Sequence, residues 1–239
     1  MAADLFIRTA CMDWDAIDRG SYLWDIPAIA GVDRVDFDCP VTCFVGENGS
    51  GKSTLLEAMA VSCGFNPEGG TRNYAFSTYD SHSELCGAMR LVKSARKARW
   101  GYFLRAESFY NVATAEAKYS QSGGVPQHLH EKSHGESFLA TVQNNFQGGG
   151  VYLLDEPEAA LSPQRQLTLL REIHTCAQGG AQFFLVTQSP NLLGLPDAAI
   201  LSFDDGPIHP IAYEDTDSYR IMSLFLSDRR RILHSLLDE

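Results

Sequence analysis

Apolar and polar positions divide this chain into short apolar runs and longer helical stretches. Val41-Thr42-Cys43-Phe44-Val45, Val151-Tyr152-Leu153-Leu154 and Gln182-Phe183-Phe184-Leu185-Val186 are short runs bounded by glycine, proline or acidic residues, and they read as buried strands. Leu5 to Cys11 is strand-like, and Val35-Asp36-Phe37-Asp38-Cys39 alternates with period two, as a half-buried strand does. Residues 4 to 45 therefore look like β structure. Helices are predicted over 54–61, 82–98, 163–177 and 216–237, the last amphipathic and carrying Arg229-Arg230-Arg231. Gly64 to Gly70 stops the first helix and begins a loop. Ser162 caps the 163–177 helix, Pro163 opens it, and Gly179-Gly180 end it. Further strands are predicted over Gly101–Ala106, Ala199–Phe203 and Pro207–Ala212, the last two joined by an Asp205-Gly206 turn. Residues 112–134 read as irregular, and no repeat, low-complexity tract or heptad run is present.

Candidate chemistry begins right after the 41–45 strand. Gly46-Glu47-Asn48-Gly49-Ser50-Gly51-Lys52-Ser53 matches the phosphate-binding pattern G-x-x-x-x-G-K-[ST] at every fixed position, and Thr54 opens the helix that follows. The glycines let successive N–H groups turn inward toward a phosphate, and the helix N-terminus adds positive dipole there. Lys52 would reach the β- and γ-phosphates, and the Ser53 hydroxyl would ligate Mg2+. A second signal lies at the end of the 151–154 strand, in Asp155-Glu156-Pro157-Glu158. Adjacent acids at a strand tip, in a chain that has a phosphate loop, suit a Mg2+ carboxylate at Asp155 and a water-polarising base at Glu156. Ser133-His134-Gly135-Glu136 opens another helix and suits either an anion or a plain capping box.

Composition narrows the picture. No apolar run approaches the roughly 18 residues of a membrane span. Met1-Ala2-Ala3-Asp4 puts an acid where a secretory signal carries basic residues, which predicts a cytoplasmic protein. The 6 cysteines show no C-x-x-C pair, so free thiols are expected rather than disulfides or zinc. His128, His130 and His134 lie close together, but without cysteine partners at ligand spacing they do not read as a zinc site. A net charge of −11 argues against the whole surface being a nucleic-acid platform. Locally, Arg90, Lys93, Arg96, Lys97, Arg99 and Arg105 form a basic stretch without acids that includes Trp100, Tyr102 and Phe103. It suits DNA or RNA phosphates, an acidic partner, or simply a solvated face. Tyr22 and Trp24, ahead of the phosphate loop, suit either adenine stacking or ordinary core packing.

In order, Gly46–Ser53, Ser133-His134-Gly135-Glu136, Leu153-Leu154-Asp155-Glu156-Pro157, Ala160-Leu161-Ser162 and Gln188 resemble the ATP-binding cassette (ABC) ATPases. They are closest to the compact AAA-family group related to SMC and RecF-type heads. Gly46 to Ala58, Gly64 to Gly70 and Phe103 to Phe109 are similar to that group in particular. The resemblance implies a P-loop α/β fold over 1–239. A mainly parallel central sheet is flanked by helices, with a β-rich antiparallel part (1–45), the phosphate loop and helix (46–70), a helical insertion (71–132) and a C-terminal α/β part (133–239). It also implies ATP and Mg2+ as ligands and a head-to-tail homodimer. In that dimer Lys52, Ser53, Asp155 and Glu156 of one copy face Ser133, Gly135 and Glu136 of the other, and Ser162 lies in the loop joining the two sites.

The sequence also departs from the pattern. The signature is Ser-His-Gly-Glu rather than Leu-Ser-Gly-Gly-Gln, and the switch histidine is Gln188, which hydrogen-bonds but cannot carry a proton. Glu107 stands near the expected place of a Mg2+-reaching glutamine and suits either that role or a structural salt bridge. The expected activity is a Mg2+-dependent ATPase acting on nucleic acid or a partner protein, of DNA-repair or defence type. The alternatives are a transporter's nucleotide-binding subunit and a slow ATP-dependent switch.

Overall fold

The computed structural model describes residues 4–72, 83–107 and 134–237. Six strands form the central sheet: β3 (Val41–Val45), β5 (Trp100–Arg105), β6 (Gly150–Asp155), β7 (Gln182–Val186), β8 (Ala199–Ser202) and β9 (His209–Pro210). Their order is β5-β6-β7-β3-β8-β9, parallel throughout except for the antiparallel β9 edge. A second sheet, order β2-β1-β4, is antiparallel and joins β1 (Ile7–Met12), β2 (Arg34–Asp36) and β4 (Met89–Lys93).

Both faces of the central sheet are covered, which is why its strands read as unbroken apolar runs. Side chains still alternate. Phe44, Leu153, Phe184 and Val186 point to one cluster, while Cys43, Tyr152, Leu154, Phe183 and Leu185 point to the other. The first cluster holds α1 (Lys52–Ser62), whose Leu55, Leu56 and Met59 lie between Phe44 and Phe184 of the central sheet and Ile7, Ala10 and Met89 of the small one. The second holds α3 (His134–Asn145) through Phe138 and Val142, and α4 (Pro163–Gln178) through Leu169 and Ile173. Gln182 joins the two sheets. Its buried side chain accepts from the Phe6 and Ile7 amides at 3.0 and 2.9 Å and donates to the Ile7 carbonyl at 2.8 Å.

Three expectations are corrected. The helix predicted over 82–98 is only a short turn, α2 (Leu85–Ala88), followed by β4. Pairing of Ala10 with Leu91 and Met12 with Met89 across the small sheet overrides the local helical pattern. The described part of the expected helical insertion is therefore largely β, and residues 73–82 and 108–132 lie outside the described residues. The single C-terminal helix is two, α5 (Asp217–Ser227) and α6 (Arg229–Leu237), broken where Asp228 leaves helical geometry at φ −145° and ψ 65°. Neither helix buries a residue. The strand expected over Pro207–Ala212 shrinks to the two residues of β9, where Pro210 is accommodated because the strand lies at the sheet edge. Among the described residues no helix is long and apolar enough to cross a membrane, and the cysteines are free thiols.

Candidate functional site

The parallel strands bring their C-terminal ends to one edge of the sheet, where open α/β folds bind ligands. Arg105 pairs opposite Asp155, Asp155 opposite Val186, and Val45 opposite Ser202. The loop from Gly46 to Ser53 leaves β3 at this edge and runs into α1.

Two glycines set the loop's path. Gly46 has φ +140°, and a Cβ there would lie 2.9 Å from Asp204 Oδ1, which accepts the Glu47 amide at 2.8 Å. Gly51 caps α1 in the left-handed region at φ +96°, and a Cβ there would press on Ile26 at 2.9 Å. Asn48, Gly49 and Ser50 form the turn between them. Thr54 sits in the first turn of α1.

Lys52 is buried and curls back over the loop. Its Nζ donates to the Gly46 and Glu47 carbonyls at 2.7 and 2.6 Å and to Ser50 Oγ at 3.2 Å. Burial lowers its pKa, against an opposing pull from Asp204, Glu156, Asp155 and Glu47. Ser53 Oγ donates to Asp155 Oδ1 at 2.8 Å. Burial raises the Asp155 pKa, while Ser53 and Arg105 pull it down.

Arg105 is a resident cation at this edge. Nη1 reaches Glu57 Oε2 at 2.8 Å and the Pro67 carbonyl at 3.1 Å, and Nε lies 3.5 Å from Asp155 Oδ2. That Nε is buried without a hydrogen bond. Glu107, mostly exposed, lies 4.0 Å from Arg105 at the mouth of a cleft of about 510 Å³, also lined by Ser53, Asp155 and Glu156. Glu156 is exposed and held in the left-handed region at φ 47°, a cost of about 1–3 kcal/mol for a residue with a side chain.

Gln188 lies at the tip of β7. Its Nε2 donates to Asn48 Oδ1 at 3.1 Å, and its backbone N–H donates to Glu158 Oε1 at 2.6 Å. Burial raises the Glu158 pKa, and the Gln188 amide opposes that rise. On α3, a Cβ at Gly135 would lie 2.6 Å from Arg165 Nη1 and 3.0 Å from the Ala160 carbonyl, and Glu136 Oε1 meets Arg165 Nη2 at 3.1 Å. The signature glycine thus packs on α4 and on the turn after Glu156. Ser133 lies outside the described residues, as do His128 and His130.

The oxygen donors suit a hard divalent cation. A hydroxyl and a carboxylate already meet, and no His, Cys, Asp or Glu cluster among the described residues is built to hold a metal by itself. A cation bound by so few protein ligands completes its shell with water and substrate phosphate, as Mg2+ does.

Sequence reasoning placed Arg105 in a surface patch, whereas it lies within the site. Parallel pairing of the two strands ending in Arg105 and Asp155 was the signal that would have found it. Glu158 and Asp204, which hold Gln188 and Glu47 by their backbone amides, went unassigned, as did Ile26 under Gly51. The rest of the basic stretch also divides. Arg96 stacks over Phe6 at 4.2 Å and donates to the Asp4 carbonyl, and Lys93 donates to the Ser62 carbonyl. Arg90, Lys97 and Arg99 are exposed. Trp24 packs on Trp14 at 4.6 Å, so core packing rather than base stacking accounts for it. Tyr22 is exposed and donates to Ser83.

Comparison with known proteins agrees with this layout. Residues 26–124 match a family model described as an AAA domain. Residues 137–194 match a second, described as an AAA domain, putative AbiEii toxin, Type IV TA system. The hemin import ATP-binding protein HmuV of Pseudomonas aeruginosa is 27% identical over 196 residues, 69% of this chain and 72% of that protein. The structure of cbiO1 from Clostridium perfringens, part of the ABC transporter complex cbiONQ, shares the fold at TM-score 0.50 and 13% identity, covering 98% of this chain and 100% of that one. The SMC head domain from Thermotoga maritima superposes at TM-score 0.49 and 16% identity, over 87% of this chain and 100% of that one.

Proposed function

We propose that this chain, a P-loop ATPase of the ABC type, hydrolyses ATP with Mg2+ in a head-to-tail pair of copies and uses the pair's closing and opening to act on nucleic acid or a partner protein. The setting is cytoplasmic and of DNA-repair or defence type. Residues 1–239 act as one ATPase domain. The observation that carries the reading is the 2.8 Å contact between Ser53 and Asp155 beneath the lysine-bearing loop.

The roles follow from that arrangement. Gly46 to Thr54 cradle the phosphates with their backbone amides. Lys52 exchanges its loop carbonyls for β- and γ-phosphate oxygens. Ser53 and Asp155 would hold Mg2+, which when bound would neutralise charge on the phosphates, and Glu107 in the same cleft would be a candidate further ligand. Glu156 polarises the attacking water. Gln188 hydrogen-bonds the γ-phosphate, and Glu158 holds its backbone. Ser133, Gly135 and Glu136 of a second copy cap the γ-phosphate from across the interface.

Gln188 also favours a second reading, a slow switch. An amide orients a phosphate or a water but takes up no proton, so the closed state is long-lived. A transporter subunit, the role named for the Pseudomonas relative, would call for a Leu-Ser-Gly-Gly-Gln signature, and this chain has Lys132-Ser133-His134-Gly135-Glu136 in its place. The test is Glu156→Gln. It is expected to bind ATP with Mg2+ and accumulate as a species of doubled mass. A Glu156→Gln chain that stays monomeric in saturating ATP sinks the paired-site reading.

A further inference from the structure

The cleft where β5 begins lies at the opposite end of the sheet from the phosphate loop. It has a volume of about 330 Å³ and is lined by Arg72, Arg99, Trp100, Asn144, Asn145 and Gln147. We propose that this cleft binds one nucleotide unit of a single-stranded nucleic acid. Arg72 and Arg99 take the phosphate, Trp100 stacks on the base, and the carboxamides of α3's last turn read the base edge. The inference rests on the reading that this ATPase acts on nucleic acid, and it names where.

Charge points to an anion. The chain carries net charge −11, yet among the described residues no acid lines the cleft. Arg34, Arg105, Arg165, Arg171 and Arg220 each pair with a carboxylate. Arg72 and Arg99 are exposed and form no ion pair among the described residues. Arg72 is propped over the Phe65 ring at 5.1 Å, which orients the guanidinium and leaves its N–H fork unspent. Gly101 makes room for that prop, since a Cβ there would lie 2.7 Å from Phe65 Cζ.

The aromatic points to a base. Trp100 is 48% exposed, whereas Trp14 is 7% exposed in the core. Its backbone is held against the start of β6, since it pairs opposite Gly150 and the Arg99 amide donates to the Gly149 carbonyl at 3.3 Å. A fixed, exposed indole beside two free guanidinia is the platform that unpaired bases stack on. A duplex offers no free base face for it. The strand carrying Trp100 ends at Arg105, beside Asp155, so roughly 17 Å of rigid β5 joins the cleft to the ATP site.

The probe is a short labelled single strand of mixed sequence, titrated by anisotropy at low salt. ATP affinity and ATP-dependent doubling of mass are measured on the same samples. Wild type is expected to bind the strand with quenching of indole emission. Trp100→Ala weakens binding about tenfold, the scale of one stacked base. Arg72→Ala and Arg99→Ala each lower the salt slope by about 0.7. These variants keep the wild-type melting temperature, and strand binding persists in Lys52→Ala, which cannot use ATP. Three results each overturn the proposal: no strand binding by wild type, equal affinity for the matching duplex, or unchanged affinity in the triple variant Arg72→Glu, Arg99→Glu, Trp100→Ala. None of them touches the ATPase reading, which stands or falls on the parallel ATP measurements.

Discussion

The phosphate-loop half and the signature half of the site are built by opposite strategies. The loop half is closed within one chain, with Lys52 on its own loop carbonyls, Ser53 on Asp155, and Asp155 facing Arg105. The signature half is anchored from behind, with Gly135 seated on Ala160 and Arg165, and Glu136 bonded to Arg165. One half is preorganised to grip a ligand. On the proposed function, the other would meet the partner copy. The difference teaches that substitutions in the two halves should separate binding from pairing.

The largest effect is expected at Lys52. Lys52→Ala removes an ammonium that makes two short bonds to carbonyls, and ATP affinity should fall about a thousandfold, the scale of two charge-assisted hydrogen bonds. Isothermal titration reads this, and unchanged affinity would contradict the loop half's role. Next comes Arg105→Ala, which strands Glu57 and Asp155 as uncompensated partly buried carboxylates and should cost roughly 3 kcal/mol. Thermal melting should drop by several degrees, and added Mg2+ should restore part of the loss if the cation replaces the missing charge at Asp155.

Much of this comparison was legible in the sequence, for a physical reason. Where strand, loop and helix follow one another, as from Val41 to Ser62, the pattern and the structure it forms are both local. The same holds for β7, whose predicted and observed bounds coincide, because a strand buried on both faces is apolar at nearly every position. What failed was long-range. β4 was read as helix because its pairing with β1 spans most of the N-terminal part of the chain. Arg105 was read as surface because only its pairing opposite Asp155 carries it inward. Asp204 bonds the Glu47 amide from the far end of β8, a contact no local window contains.

The signature half gives the third test. Gly135→Ala puts a methyl 3.0 Å from the Ala160 carbonyl and into Arg165, so α3 must shift. The single chain should bind ATP as before, while the yield of the ATP-trapped pair in a Glu156→Gln background falls about tenfold, near 1.4 kcal/mol. Equal loss of binding and pairing would erase the distinction between the halves. The smallest effect is expected at Gln188. Gln188→His introduces a group titrating near 6.5, so turnover should rise severalfold and acquire a pH dependence between about 6 and 7 that the wild type lacks. A wild-type profile already showing that step would place the titrating group elsewhere.

The buried side-chain amide of Gln182 behaves as a missing rung between two ladders, tying the inner sheet to the main chain of Phe6 and Ile7 at the outer one. With α1 packed between those sheets, the outer layer is bonded to β7, the strand whose end at Val186 leads to Gln188. The N-terminal sheet and the strand leading to Gln188 are thus joined by direct hydrogen bonds as well as by shared packing.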